Sequence, residues 1–290
     1  MKIAVGASSF GQPEALTLLD GFDVALNPYG RKLTEAETIE HLQGAVGLLA
    51  GLEPLNEAVF AACPQLRAVA RIGIGMDNVD LDAAEKHNIK VSNTPDGPTY
   101  AVAEMTLSAL LCIARQIVPA NADIHNGVWQ KRMGFSLKGA NILLVGYGRI
   151  ARELERLIEP FGMNVLKYDP LLPDSKPLTE LLPQAQIISL HASGKERVIG
   201  ESELNIMKDG AVLLNSARGA VVDEEAVCAA LENGKLSWYW ADVFSEEPYS
   251  GKLLTQENAL LTPHISTYTT TCRRDMETQA VRNLLDDLRE

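Results

Sequence analysis

Short apolar or β-branched runs alternate with segments whose apolar residues recur at helical spacing, from the start of the chain to its end. Buried parallel strands joined by helices produce this alternation, so an α/β fold is expected. In the first third the strand candidates are 3–5, 24–26, 46–50, 68–72 and 90–92, with helical spacing over 35–42 and 55–62. A cluster of helix breakers follows, Asn93-Thr94-Pro95-Asp96-Gly97-Pro98. Beyond it a long, largely apolar helix is predicted over 99–117, ending before Pro119, and is read as the passage from one domain to the next.

A second strand series begins at Asn141 and runs through 142–145, 165–168, 187–190, 212–215, 239–244 and 260–262. Six strands with intervening helices are what a dinucleotide-binding sheet requires. The tail after His264 reads as one helix, 271–288, expected to pack back on the first domain. The expected architecture is two Rossmann-like domains with parallel sheets. Residues 1–96 with 266–290 form a discontinuous, flavodoxin-like substrate domain, and 97–265 a nucleotide-binding domain.

Composition narrows the class. A length of 290 residues allows one or two cores. The net charge of −12 disfavours nucleic acid and requires local cations to gather any anionic substrate. Cys63, Cys112, Cys228 and Cys272 lie far apart, with no metal-ligand spacing, so reduced thiols and no metal are expected. Lys2-Ile3-Ala4-Val5 opens directly as a strand, with no signal-peptide pattern. The most apolar stretch, 105–118, carries Arg115 and Gln116 and is read as too short to span a bilayer. The cytoplasm is the expected location.

The strand 142–145 runs into Gly146-Tyr147-Gly148-Arg149-Ile150-Ala151, the G-x-G-x-x-A form of a dinucleotide turn. Gly146 permits the tight turn, Gly148 admits a pyrophosphate, and Ala151 lets helix and strand pack closely. The helix behind it offers free N–H groups to phosphate. The next strand ends in Asp169, 18 residues after Ala151, where a carboxylate accepts ribose hydroxyls and repels a 2′-phosphate. NAD is therefore expected over NADP, with Lys167 taken to point away from the Asp169 side.

Three later strand ends carry polar groups. Asn215-Ser216-Ala217-Arg218-Gly219 delivers a guanidinium suited to a carboxylate and a neighbouring carbonyl oxygen. Asp242-Val243-Phe244-Ser245-Glu246-Glu247-Pro248 brings carboxylates, and Thr262-Pro263-His264 ends a strand on a histidine. Reducing a ketone by hydride leaves charge on oxygen and needs a proton, which a histidine paired with a carboxylate supplies. Singly each has an ordinary reading: a surface arginine, a solvated loop carboxylate, a strand-capping histidine.

As an ordered set behind a dinucleotide turn, these residues resemble the D-isomer-specific 2-hydroxyacid dehydrogenase family. The resemblance covers nearly the whole chain. It includes Arg71-Ile72-Gly73-Ile74-Gly75-Met76-Asp77-Asn78-Val79-Asp80, Asn93-Thr94-Pro95 with Ala101-Val102-Ala103-Glu104, and the Gly146 to Ala151 turn. It continues through Asn215-Ser216-Ala217-Arg218-Gly219-Ala220-Val221-Val222-Asp223-Glu224, Asp242-Val243-Phe244, Glu247-Pro248 and Thr262-Pro263-His264-Ile265. The resemblance implies that Arg218 binds the substrate carboxylate and carbonyl oxygen, with His264 as general acid/base and Glu247 as its partner. It implies that Asp242 meets the nicotinamide carboxamide, with Ser216, Ala217 and Arg218 backbone near the same ring. Gly146, Gly148, Arg149, Ile150, Asp169 and His191 would hold the rest of NAD. Ile74 and Gly75, in the 72–76 loop, would offer N–H groups to the substrate carboxylate. A homodimer joined through the cofactor domains is also implied, with 99–116 and the Trp129 loop as interface. Substrate is expected between the domains, which close on it.

Several positions depart from the family pattern. His191-Ala192-Ser193 lacks the usual third-position proline, and the loop after it is shortened. Ser266 stands where glycine is common, Trp238-Tyr239-Trp240 replaces smaller residues, and 169–186 is short. Within the family the chain is most like phosphoglycerate-dehydrogenase-like members, at Gly162-Met163-Asn164-Val165 and Tyr168-Asp169-Pro170. Yet Ala50-Gly51-Leu52-Glu53-Pro54 carries no cation where some of them bind phosphate, and Glu53 is expected to repel it. Lys131 and Arg132 are the alternative source of charge. The expected substrate is a small unphosphorylated 2-oxo acid: glyoxylate, hydroxypyruvate or pyruvate. 3-Phosphohydroxypyruvate of serine synthesis is the main alternative, and an NAD(H)-sensing binding protein the alternative of another class.

Overall fold

The computed structural model, which describes residues 1–194 and 196–289, divides into two compact units. The first comprises Met1–Pro98 and the chain from Thr267 onward; the second is Thr99–Ser266.

In the first unit β1 (Lys2–Val5), α1 (Pro13–Thr17), β2 (Asp23–Leu26), α2 (Glu35–His41), β3 (Ala45–Ala50), α3 (Glu57–Ala62), β4 (Ala68–Arg71), α4 (Leu81–Lys86) and β5 (Lys90–Asn93) alternate. The five strands form one parallel sheet in the order β2-β1-β3-β4-β5, a doubly wound arrangement with its switch point between β1 and β3. Short polar residues start the helices. Thr34 and Glu37 form a capping box on α2, and Asn56 and Asp80 cap α3 and α4.

The second unit holds α5 (Asp96–Ala114), which begins in the first, then α6 (Ile117–His125), β6 (Asn141–Val145), α7 (Arg149–Ile158), β7 (Asn164–Tyr168), α8 (Leu178–Leu181) and β8 (Ile187–Leu190). It continues with α9 (Glu201–Ile206), β9 (Ala211–Asn215), α10 (Glu224–Glu232), β10 (Leu236–Ala241) and β11 (Ala259–Leu261). Its six strands are parallel in the order β11-β10-β9-β8-β6-β7. The β6, β8 and β9 strands are almost wholly buried, as strands covered on both faces must be.

The last helix, α11 (Thr270–Arg289), packs across β3, β4 and β5. Gly47 makes room for it: a Cβ there would stand 3.1–3.2 Å from methyls of Leu284 and Leu288. Glu277 of α11 is completely buried. One of its oxygens accepts the Gly11 and Gln12 N–H groups at 2.9 and 2.8 Å, at the head of α1, and the other takes Arg273 at 2.9 Å.

Several sequence expectations shift. The predicted helix over 99–117 starts earlier, at Asp96, because Pro98 falls in its first turn, where a missing N–H costs nothing. It ends at Ala114, where Gln116 takes a left-handed φ of 54°, and Pro119 sits in the first turn of the separate α6. The expectation that this stretch is too short for a bilayer also changes. α5, at 19 residues, is long and apolar enough to cross one, but half of it is buried within the protein, against β6 and α7. The strand expected at 239–244 is β10, ending at Ala241; the chain then turns, so Asp242 lies just past the sheet. Between β7 and β8 there is only the four-residue α8 and a 3-10 turn, in keeping with the short 169–186 segment. The shortened loop expected after Ser193 runs through Lys195, outside the described residues.

Glu277→Ala removes a buried anion that three groups depend on, and the loss should be about 3 kcal/mol. The expected result is a lower urea midpoint with faster hydrogen exchange in α1 and α11 but not in β6 to β9. An unchanged midpoint would contradict the role given to this carboxylate.

Candidate active site

The turn after β6 has the form a dinucleotide needs. Gly146 has φ 86°, and a Cβ on it would lie 2.6 Å from the Ala192 nitrogen, so only glycine lets β6 and β8 approach there. Gly148, by contrast, faces open space and precedes α7 without a side-chain cap, so the first turn of the helix opens toward the space an anion would take. Ala151 is fully buried against β6 and β9, where a larger side chain would lever the helix away. These features fit a pyrophosphate.

Asp169 follows β7. One carboxylate oxygen accepts the Tyr147 N–H at 2.7 Å and the other the Leu171 N–H at 2.9 Å. This fixes the carboxylate beside the glycine turn with lone pairs left for ribose hydroxyls. The expectation for Lys167 is overturned. A strand repeats every two residues, so 167 and 169 share a face. The Lys167 ammonium stands 4.5 Å from the Tyr147 ring and pairs with Glu155 of α7 at 2.8 Å.

His191, at the end of β8, lies beside the Gly146 turn. Its Nε2 meets the Ser189 hydroxyl at 2.9 Å, while its buried Nδ1 has no partner. Burial pushes the imidazole down to about 4, so it is neutral at neutral pH.

The second cluster stands where β9, β10 and β11 end side by side. Arg218 is three residues past β9, and its guanidinium donates to Ala217 O at 2.7 Å. Gly219 next to it presses on the Phe244–Ser245 backbone, where any Cβ would collide. That contact brings the arginine turn against the loop bearing Glu247. Glu247 accepts the Phe244 N–H at 3.1 Å with one oxygen and His264 Nδ1–H at 2.9 Å with the other. Phe244 stacks on Tyr249 at 4.3 Å, stiffening this loop. Both His264 and Glu247 remain part-exposed, at 44% and 32% of their side chains.

His264 itself adopts φ 52°, a left-handed conformation that costs a non-glycine residue free energy. Asp242 offsets that cost. Only 1% exposed, its carboxylate accepts the Thr262 hydroxyl at 2.6 Å, the Ile265 and Ser266 N–H groups at 2.9 Å, and the Ser266 hydroxyl at 2.5 Å. Four donors match the roughly four acceptor sites of a carboxylate. Thr262 also accepts the Trp240 indole N–H at 3.1 Å. Ser216 meets the Thr106 hydroxyl of α5 at 3.2 Å, and Ala217 N–H donates to Asn215 at 3.0 Å.

In the first unit, the 72–76 loop is tied down by the Gly73 N–H on Thr94 (2.7 Å) and the Asn93 amide on Ile74 O (2.9 Å), with Gly75 next in line. The picture of Glu53 as a phosphate-repelling surface charge is corrected. It is 1% exposed, folds both oxygens onto the Gly51 N–H, and has its carboxyl pushed upward by burial. Arg132 is likewise committed locally, to Asp123 at 2.6 and 3.0 Å. Among the described residues no group of three or more His, Cys, Asp or Glu could hold a metal.

The structure brings His264, Glu247, Arg218 and Asp242 together at these strand ends, among neighbours the sequence reading did not name. Thr106, Glu155 and the hydroxyls of Thr262 and Ser266 carry no motif. The one available signal was Ser266, conspicuous as a departure from the family pattern.

Residues 107–266 match the family model described as the NAD-binding domain of D-isomer-specific 2-hydroxyacid dehydrogenases. A glyoxylate reductase of Thermococcus gammatolerans is 35% identical over 92% of this chain and 87% of its own. A D-3-phosphoglycerate dehydrogenase of Methanocaldococcus jannaschii is 34% identical over 80% of this chain, which spans only 48% of that relative. A solved structure of a Thermus thermophilus protein superposes with TM-score 0.91 at 35% identity, covering 100% of this chain and 97% of the other.

The His191 shift predicts a pH dependence. Its folded value of about 4 lies below the ordinary 6.5, so the unfolded chain binds the extra proton between these values. The associated stability is complete above pH 6.5 and falls as pH drops toward 4, by on the order of 3 kcal/mol in all. Urea midpoints of the apo protein should fall less steeply over this window in His191→Gln than in wild type. Parallel slopes would refute it.

Proposed function

From the premise that the chain belongs to the D-isomer-specific 2-hydroxyacid dehydrogenase family, as an NAD-dependent enzyme, we propose that it reduces a small unphosphorylated 2-oxo acid. Glyoxylate, hydroxypyruvate and pyruvate are the candidates. The observation that carries this reading is the His264 to Glu247 contact beside the Arg218 turn. Two observations favour the small substrate. The 50–54 loop has no cation, and the likeness to a glyoxylate reductase extends over most of that relative's length.

The cofactor, when bound, supplies the hydride that reaches the 2-oxo carbon. Arg218 binds the substrate carboxylate and polarises the carbonyl, fixing the oxygen that becomes charged. His264 donates the proton to that oxygen from Nε2, since Nδ1 is held by Glu247. The Glu247 carboxylate stabilises the imidazolium before transfer and fixes the ring orientation. Asp242, its acceptor sites met by protein donors, acts by positioning: it holds the Ile265 and Ser266 N–H groups and so the turn bearing His264. Gly146, Gly148, Arg149, Ile150, Asp169 and His191 would hold the dinucleotide, and the 216–218 backbone would serve its nicotinamide end.

We also propose a homodimer, supported by the exposed apolar residues Ile117, Val118 and Ile124 of α6 with Val128, Trp129 and Met133 after it; Trp129 is 85% and Met133 93% exposed. Such a patch is unusual on a monomer.

NADH oxidation measured against glyoxylate, hydroxypyruvate, pyruvate and 3-phosphohydroxypyruvate should show turnover with an unphosphorylated acid. Preference for the phosphorylated one would overturn the substrate reading. His264→Gln should lower kcat at least about a hundredfold while leaving the NADH Kd near wild type; wild-type turnover would end its assignment. For assembly, light scattering should give a dimer for wild type and dissociation in Trp129→Glu. A monomeric wild type would remove the dimer proposal.

A further inference from the structure

Glu155, Lys167, Arg152 and Tyr147 form a cluster against the candidate ribose site that the reaction does not use. Tyr147 stands at its centre. Its N–H is taken by Asp169 and its hydroxyl donates to Glu155. Lys167 and Arg152 both lie over its ring, at 4.5 and 5.1 Å from the ring centre, and Arg152 Nε also donates to Tyr147 O at 3.3 Å. Two cations thus sit close to the carboxylate that meets the ribose. Lys167 is one pleat below Asp169 on the same face, about 7 Å along the strand, within reach of a lysine stem. Glu155 holds the ammonium in its present direction, as its ion-pair partner at 2.8 Å.

We propose that Glu155 is a specificity residue for the cofactor: by pairing with Lys167 it withholds from the ribose 2′ position a cation that would otherwise meet a 2′-phosphate. Asp169 repels that phosphate and Glu155 denies it a partner, so two carboxylates on different elements discriminate together. The Tyr147 ring serves both states, because its face attracts the ammonium whichever anion the lysine serves. The pair is half-shielded, and each partner favours the other's charged form. The Lys167 ammonium is pushed upward by Glu155; burial works against the Glu155 carboxylate, but Lys167 and the Tyr147 hydroxyl together hold that carboxyl down. The proposal rests on the glycine turn and Asp169 being the NAD site.

Calorimetric titration of the apo protein with adenosine 2′,5′-bisphosphate and with 5′-AMP tests it. In an Asp169→Asn background, adding Glu155→Gln keeps a hydrogen-bond partner for Tyr147 but removes the anion. It is expected to tighten the bisphosphate about tenfold while moving AMP by less than about twofold. Adding Lys167→Met should cancel the gain. Equal changes for both probes, or a gain that survives Lys167→Met, overturn the proposal. In the otherwise unaltered chain, Lys167→Met should leave bisphosphate affinity as it is, because the ammonium is already taken. A loss there overturns the masking role even if Glu155→Gln does not fold. Asp169→Asn alone should weaken AMP; if it does not, the ribose site lies elsewhere, and the NAD-site reading falls with the proposal.

Discussion

The candidate site depends first on one buried anion. Asp242 gathers four donors from the residues on either side of His264 and so fixes the turn that carries that histidine. A residue held at φ 52° would relax toward an ordinary conformation if its turn were supported only by solvent. Here both N–H groups after the histidine point at a charge that is itself 1% exposed, where charge-assisted hydrogen bonds are strong. The carboxylate is placed by β10, whose last residue pairs with Asn215 of β9 and Leu261 of β11. The sheet register therefore determines where the His264 ring stands.

The same logic explains the two glycines that matter most. Gly146 lets the dinucleotide turn close against Ala192, and Gly219 lets the arginine turn close against Phe244 and Ser245. In each case a polar loop is brought to a neighbouring strand end by removing a side chain, not by adding a contact. Parallel sheets make this possible because successive strands end on the same edge, so short loops separated by many residues in sequence become neighbours.

Much of this was legible beforehand, for identifiable reasons. Strands such as 142–145 and 187–190 are unbroken apolar runs, which two-sided burial demands. Gly146 to Ala151 is readable because a backbone turn at a phosphate tolerates few alternatives. What was not legible was tertiary. Glu53 reads as a surface charge until its carboxylate folds onto the Gly51 N–H. The 239–244 run reads as strand throughout, since nothing local shows that Asp242 leaves the sheet to serve the His264 turn. Pro98 and Pro119 read as helix stops because their position within a first turn is set by where the preceding loop ends. Lys167 was misplaced by parity alone: it shares a face with Asp169.

The chain's charge raises a last question, how a protein of net charge −12 attracts an anionic cofactor and an anionic substrate. Many of its cations are paired within the fold: Arg132 with Asp123, Lys167 with Glu155, Arg197 with Asp223. Beside the Arg218 guanidinium, attraction is also available from groups with no net charge. The uncapped start of α7 presents aligned N–H dipoles where a pyrophosphate would lie. Dipoles fixed by the fold do not need to be desolvated as ions do, and they lose little to screening at contact distance. An acidic protein can therefore bind anions locally while repelling them at long range. It can also choose among them, since a ligand carrying one more phosphate meets the acidic field without a further dipole to offset it. On that view Asp169 and the Glu155–Lys167 pair are the local expression of the charge balance that the whole chain carries.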